Sequence, residues 1–139
     1  SASGVIEGHH RTKVITAAAN LPLHESSSGA LIIASGSAIT MELPHVASGS
    51  GVSFTVLAGI AGQHIITASQ NSLKKTMYGH ITDVNNGTSA DGAGASLVAA
   101  AHKITLNSNN QIGDRVVIVG DGINWYVDGI LKDAPTIAT

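Results

Sequence analysis

At 139 residues the chain is the size of one domain, able to bury roughly two thirds of the surface its unfolded form exposes. Only 12% of its residues are charged, against about 25% in an ordinary domain, and 43% are hydrophobic, so its surface must be unusually uncharged and is expected to be covered by partner chains. The net charge of −2, with seven Lys and Arg spread along the chain, offers no basic patch to a phosphate backbone and argues against nucleic acid, and the absence of cysteine removes disulfides and thiolate chemistry.

The apolar run 29–34 is far shorter than the roughly 20 residues that cross a bilayer, and no charged segment leads into an apolar one at the start, so neither a membrane span nor a secretion signal is expected. An opening Ser1 in place of Met fits removal of an initiator before a small residue. Residues 1–20 read as an extended N-terminal arm: Gly4 and Gly8 break its first part, and only 12–18 offers a strand-like run. Residues 21–139 are then expected to form one domain.

Alternation begins after Gly29. Ile39, Met41 and Leu43 share one parity while Thr40 and Glu42 take the other, as a half-buried strand requires, and the strand is expected to stop at Pro44. A Gly-Ser segment, 47–51, turns the chain into Val52, Phe54 and Val56, alternating with Ser53 and Thr55. Further short runs lie at 64–68, 77–81, 102–106, 115–119 and 124–130. The segment 85–94 contains no large apolar residue and reads as an exposed loop. The alanine-rich 95–101 favours helix by propensity, but it leads into an alternating run and is read as strand. The clearest local signal is 116–127, where Val-Val-Ile-Val passes through Gly120, Asp121 and Gly122 into Asn-Trp-Tyr-Val. An Asp-Gly pair between two such runs predicts a tight hairpin. One of Trp125 and Tyr126 must then face inward, and Trp125 is read as the core anchor. In all, about eight short strands and no helix predict an all-β sandwich or jelly roll.

Chemistry is harder to find. None of the seven histidines stands in a metal-ligand spacing, and His64 and His102, set among strand residues, read as hydrogen-bonded packing groups; His9 and His10 would bind only a stray metal. Asp83, Asn85 and Gly87 resemble a calcium loop weakly, since Asp91 comes too late for the register and no Glu closes the site. No serine stands in a nucleophile elbow, Gly49-Ser50-Gly51 included, and Glu7, Glu25 and Glu42 are too dispersed to form a carboxylate pair. No catalysis, cofactor or metal is expected.

The order of several pieces is nonetheless distinctive. Ala-Ile-Thr-Met-Glu-Leu-Pro at 38–44 precedes Gly51-Val52-Ser53-Phe54-Thr55-Val56; Ile65 and Ile66 follow, and the chain closes with Ile112-Gly113-Asp114-Arg115-Val116, Asp121-Gly122 and Asn124-Trp125-Tyr126-Val127. Over roughly residues 30–130 this resembles small bacteriophage virion β-sandwich proteins, in particular head decoration (cement) proteins. The matching positions are Leu43, Pro44, Phe54, Gly113, Asp114, Gly122, Trp125 and Tyr126, each with a structural explanation. Pro44 ends a strand, Gly113 and Asp114 turn into a buried strand, and Asp114 is placed to cap backbone amides.

The resemblance implies a jelly-roll-like antiparallel sandwich, assembled as a homotrimer, that binds the major capsid protein on the outer surface of the head after synthesis in the host bacterial cytoplasm. Within the arm, Ile6, Arg11, Lys13 and Ile15 are the expected capsid contacts. Since no long repeat or coiled-coil stalk is present, a self-contained cap is favoured over a fibre. The alternative expectation is a tail, fibre or baseplate module that binds host-surface glycans through exposed aromatics and the 85–94 loop.

Overall fold

A computed structural model of the chain describes residues 12–69, 75–84 and 94–139. Twelve strands lie among them: β1 (Val14–Ala17), β2 (Leu21–Pro22), β3 (Ala30–Ala34), β4 (Thr40–Glu42), β5 (Ser53–Ala58), β6 (Ile65–Thr67), β7 (Met77–Asp83), β8 (Gly94–Ala101), β9 (Lys103–Thr105), β10 (Arg115–Gly120), β11 (Trp125–Leu131) and β12 (Thr136–Ala138). They form a seven-stranded sheet in the order β1-β3-β5-β10-β11-β7-β8 and a five-stranded sheet in the order β12-β9-β6-β4-β2. The two sheets pack together as a sandwich, so the all-β sandwich expected from the sequence is the fold.

The strand directions are mixed, where an antiparallel jelly roll was expected. From β1 to β6 the chain enters the two sheets alternately, so each return to a sheet runs in the same direction as the strand before. β1, β3 and β5 are parallel in one sheet, and β2, β4 and β6 are parallel in the other. Three turns of a flattened coil result. After β6 the chain reverses: β10 pairs antiparallel with both β5 and β11, and β7 and β8 complete the far edge. Residues 14–17, read above as part of an arm, are the edge strand of the larger sheet, because Ile15 and Ala17 on its inward side pack against the core. Residues 1–11, 70–74 and 85–93 lie outside the described residues, and with them fall Ile6, Arg11, His9, His10 and most of the expected 85–94 loop.

A single apolar core fills the space between the sheets. Ile32, Phe54, Val56, Val116, Ile118, Trp125, Met77 and Ile81 enter it from the larger sheet, and Met41, Leu43, Ile66, Ile104 and Leu106 from the smaller. Trp125 is the largest of these side chains, and two glycines make room for it. A Cβ at Gly49 would lie 2.7 Å from the indole Cη2, and one at Gly120 would lie 2.7 Å from Cζ3. The Gly-Ser segment therefore serves packing: Gly49 closes the 3₁₀ turn Val46–Ser48 directly against the ring. Gly79 is required for a different reason. At φ +147°, facing Val127 on the parallel neighbour β11, its backbone runs so close to the Val127 carbonyl that any Cβ would overlap it.

One polar network is sealed into the core edge. His64 is fully buried, its Nε2 2.9 Å from the Gly36 carbonyl and its Nδ1 3.3 Å from Asn110 Nδ2, while Asn110 Oδ1 accepts from the Gly62 amide at 2.7 Å. These partners fix the tautomer, since Asn110 donates to Nδ1 and Nε2–H donates to Gly36.

Two substitutions test this account by chemical denaturation. Trp125→Ala should cost about 3–5 kcal/mol, the usual range for emptying a large aromatic site. Asn110→Ala, which strands the Gly62 amide and the His64 ring nitrogen, should cost about 1–3 kcal/mol.

Candidate interaction surface

Side chains alternate along a strand, so every inward core residue is followed by an outward one. On the five-stranded sheet the outward positions are mostly polar: Thr40, Glu42, Thr67, Lys103, Thr105 and Thr136, with Pro22, Ile65 and Ala138. The seven-stranded sheet is different. Its outward positions include Val14, Leu31, Ile33, Leu57, Val117, Val119, Tyr126, Ile130, Tyr78 and Leu97. Among the described residues nine large apolar side chains are exposed. Six of them, Val14, Tyr78, Leu97, Val119, Tyr126 and Ile130, stand on this sheet, and Val84, Ile112 and Ile123 lie in connections beside it. Scattered apolar residues are ordinary on a protein surface; their concentration on one sheet, interleaved with Thr55, Thr82, His80, Arg115 and Asp128, makes that face the candidate interaction surface.

The strand register builds the face row by row. Thr55, Val117, Asp128, His80 and Leu97 form one row across five strands, and Leu57, Arg115, Ile130, Thr82 and Ala95 form the next. Val119, Tyr126 and Tyr78 stand side by side in a third. A shallow groove of about 280 Å³ opens between Arg115 and Asp128, bordered by Thr55, Val117 and Ile130. A second, of about 340 Å³, continues round the sheet's end past Val84, Ile112 and Lys132, sharing Arg115 and Ile130 with the first. Arg115 and Asp128 are both exposed, and neither forms an ion pair among the described residues.

The tip of the β10–β11 hairpin is stiffened from within. Asp121 Oδ1 accepts from the amides of Asn124 at 2.7 Å and Ile123 at 2.8 Å, and Oδ2 accepts from the Tyr126 hydroxyl at 2.8 Å. Gly122 supplies the positive φ, +89°, that the turn needs. These donors hold the Asp121 carboxyl below its ordinary value of 3.8, the Asn124 amide most strongly, then the Ile123 amide, then the Tyr126 hydroxyl. The last of these bonds also ties the phenol of Tyr126 to the hairpin tip.

Most residues singled out in the sequence have structural places. Leu43, Pro44, Phe54 and Trp125 are buried. Asp114 Oδ2 accepts from the amides of Gln111 and Lys132, both at 3.1 Å, at the turn into β10 where Gly113 has φ +99°. Lys13 is exposed just before β1, and Ile15 is partly buried against the core. The structure does not gather these residues into one site; only Tyr126 stands on the apolar face. Asp83 is buried at the end of β7 with an Oδ1 that has no hydrogen-bond partner among the described residues, while Asn85, Gly87 and Asp91 lie outside them. Among the described residues no group of three His, Cys, Asp or Glu is placed to hold a metal ion. Asp128, Val119, Ile130 and Leu97 were given no functional place from the sequence, Arg115 entered only as part of the 112–116 motif, and Tyr78 only as one of the few aromatics. The signal for part of the set was present in Val116-Val117-Ile118-Val119, where both parities are apolar and one must therefore face out.

The fold and this face define an all-β sandwich with one apolar and one polar outer side. No protein-family model, curated protein or solved structure matches the chain.

Because the folded Asp121 carboxyl titrates below the unfolded one, its contribution to the hairpin is present above the ordinary carboxylate pKa and is lost as pH falls through the folded value. Carboxyl NMR should place the Asp121 midpoint below 3.8, and Asp121→Asn should weaken the acid dependence of hairpin opening measured by amide exchange.

Proposed function

We propose that the chain is a capsid decoration (cement) protein, a structural block that binds the outer surface of a phage head as a homotrimer and adds no chemistry of its own. The observation that supports this reading is the apolar outer face of the seven-stranded sheet, set opposite a threonine-lined face. A chain so poor in charge, with one side that water solvates badly, suits a component whose surface is covered in its working state. Such a block stabilises the shell by mass action, because it binds the assembled lattice and not free subunits. Three linked copies multiply contacts that are weak singly.

The expected capsid contacts lie toward the N-terminus. Since β1 belongs to the sheet, the cut that tests them falls before it, removing residues 1–11 and leaving Lys13 and Ile15 in place.

A second reading, a tail or baseplate module for host-surface glycans, draws on one observation: Tyr78 and Tyr126 are neighbours on adjacent strands and both are exposed. Paired phenol rings are a usual platform for sugars. Binding on a glycan array that Tyr126→Ala abolishes, with the fold intact, would favour it.

Immunogold electron microscopy of purified virions separates the two. The decoration reading expects label over the head surface, and label confined to the tail contradicts it. The 12–139 truncation should fold but no longer coat heads; full occupancy by it would remove residues 1–11 from the interface.

A further inference from the structure

Resting on the reading that copies of this chain associate, we infer that the outer face of the seven-stranded sheet is the surface through which they do so, with Arg115 of each copy pairing with Asp128 of the next. The occupant of the face is a second copy of this chain, and three features of the face argue for it.

The first is extent. Seven strands about 4.8 Å apart, each about 20 Å long, give a face of roughly 600 Å² before side-chain relief. A standard interface buries about 800 Å² per partner, the same order as this face, and Val84, Ile112 and Ile123 are exposed beside it.

The second is charge. At the outward positions of the face's strands the fixed charges are one cation, Arg115, and one anion, Asp128, on neighbouring strands and in adjacent rows, with His80 beside Asp128, while Asp83 at the end of β7 is buried. His80 stands one strand from Asp128, and the Tyr78 and Tyr126 hydroxyls are the other titratable groups on the face. A strongly charged partner, such as a basic or acidic protein, would leave one of the two charges facing its like. A copy of the same chain offers both signs, so a symmetric contact between copies can set each Arg115 against the other copy's Asp128 with neither charge left over. The groove between the two residues leaves room for the incoming side chain.

The third is anatomy. Tyrosine and arginine, residue types enriched at interfaces, stand on the inner strands β10, β11 and β7 of this face, Tyr78 and Tyr126 in the row beside Val119 and Arg115 in the row beside Ile130. A sugar platform would instead need several polar groups converging on the rings. The Tyr126 hydroxyl is already committed within the subunit to Asp121.

Light scattering coupled to size exclusion, with sedimentation to obtain dissociation constants, tests the inference. The unmodified chain should run as a multiple of its 14.0 kDa mass. Ile130→Glu and Leu97→Glu should each weaken association roughly tenfold or more, while Thr67→Glu and Thr105→Glu on the opposite sheet should leave it unchanged. Circular dichroism establishes that each variant is folded. Because both charged side chains are exposed, Arg115→Glu provides a variant that disturbs no core contact. It should weaken association, and adding Asp128→Arg should restore it. If the unmodified chain associates and the face variants associate equally well, the face is not the interface although self-association stands. If the unmodified chain is a monomer at every concentration, the inference and the trimeric reading fall together.

Discussion

A β-strand deals its side chains to two faces in strict alternation, and no strand can hide both unless something lies on each side of the sheet. Val116-Val117-Ile118-Val119 sends Val116 and Ile118 into the core and so must send Val117 and Val119 out. The same constraint runs through β3, β11 and β8, where Leu31, Ile130 and Leu97 are the outward counterparts of buried neighbours. In sheets covered on both sides such continuous apolar runs are ordinary. Here no second cover lies over the face among the described residues, and fully burying a Val, Leu or Ile side chain is worth about 1.5–3 kcal/mol. The surface chemistry of the molecule follows from that imbalance.

The rest of the fold holds this face in register. Trp125 keys β11 into the core beneath the face, seated on backbone that only glycine leaves open at Gly49 and Gly120. Its neighbour Tyr126 is thereby turned outward, and Asp121 locks the phenol in place. At the far end of the sandwich, the His64 and Asn110 network ties the segment around Gly62 to Gly36. The coil of β1 to β6 supplies three parallel strands to each sheet, which widens the larger sheet beyond what the β10–β11 hairpin and its neighbours would span.

Much of this was legible in the sequence. The alternation at Ile39, Met41 and Leu43, the stop at Pro44, the Phe54 strand, the 116–127 hairpin and the inward Trp125 are visible because each depends on local periodicity or turn chemistry. The short strands Leu21–Pro22 and Thr136–Ala138 were not, since two or three residues carry no period and owe their form to the neighbours that bind them. Parallel winding was hidden for a deeper reason: alternation fixes which side a residue faces but is the same in either chain direction. The low charge content pointed to a covered surface, yet only the register shows that the apolar residues collect on one sheet. Arg115 and Asp128 become a pair of interest only once Val117 is seen opposite Asp128 and Ile130 opposite Arg115.

Covering of the seven-stranded face is the claim on which the functional reading depends, and the two tyrosines report on it directly. Tyr78 and Tyr126 are 38% and 45% exposed in the isolated subunit. Hydroxyl-radical footprinting of the unmodified chain, compared with the folded Arg115→Glu variant, measures how much of that exposure survives in solution. The account predicts that both tyrosines are shielded in the unmodified chain and react freely in the variant. Equal, rapid oxidation in both proteins would mean that the face stays bare, and the account would be wrong.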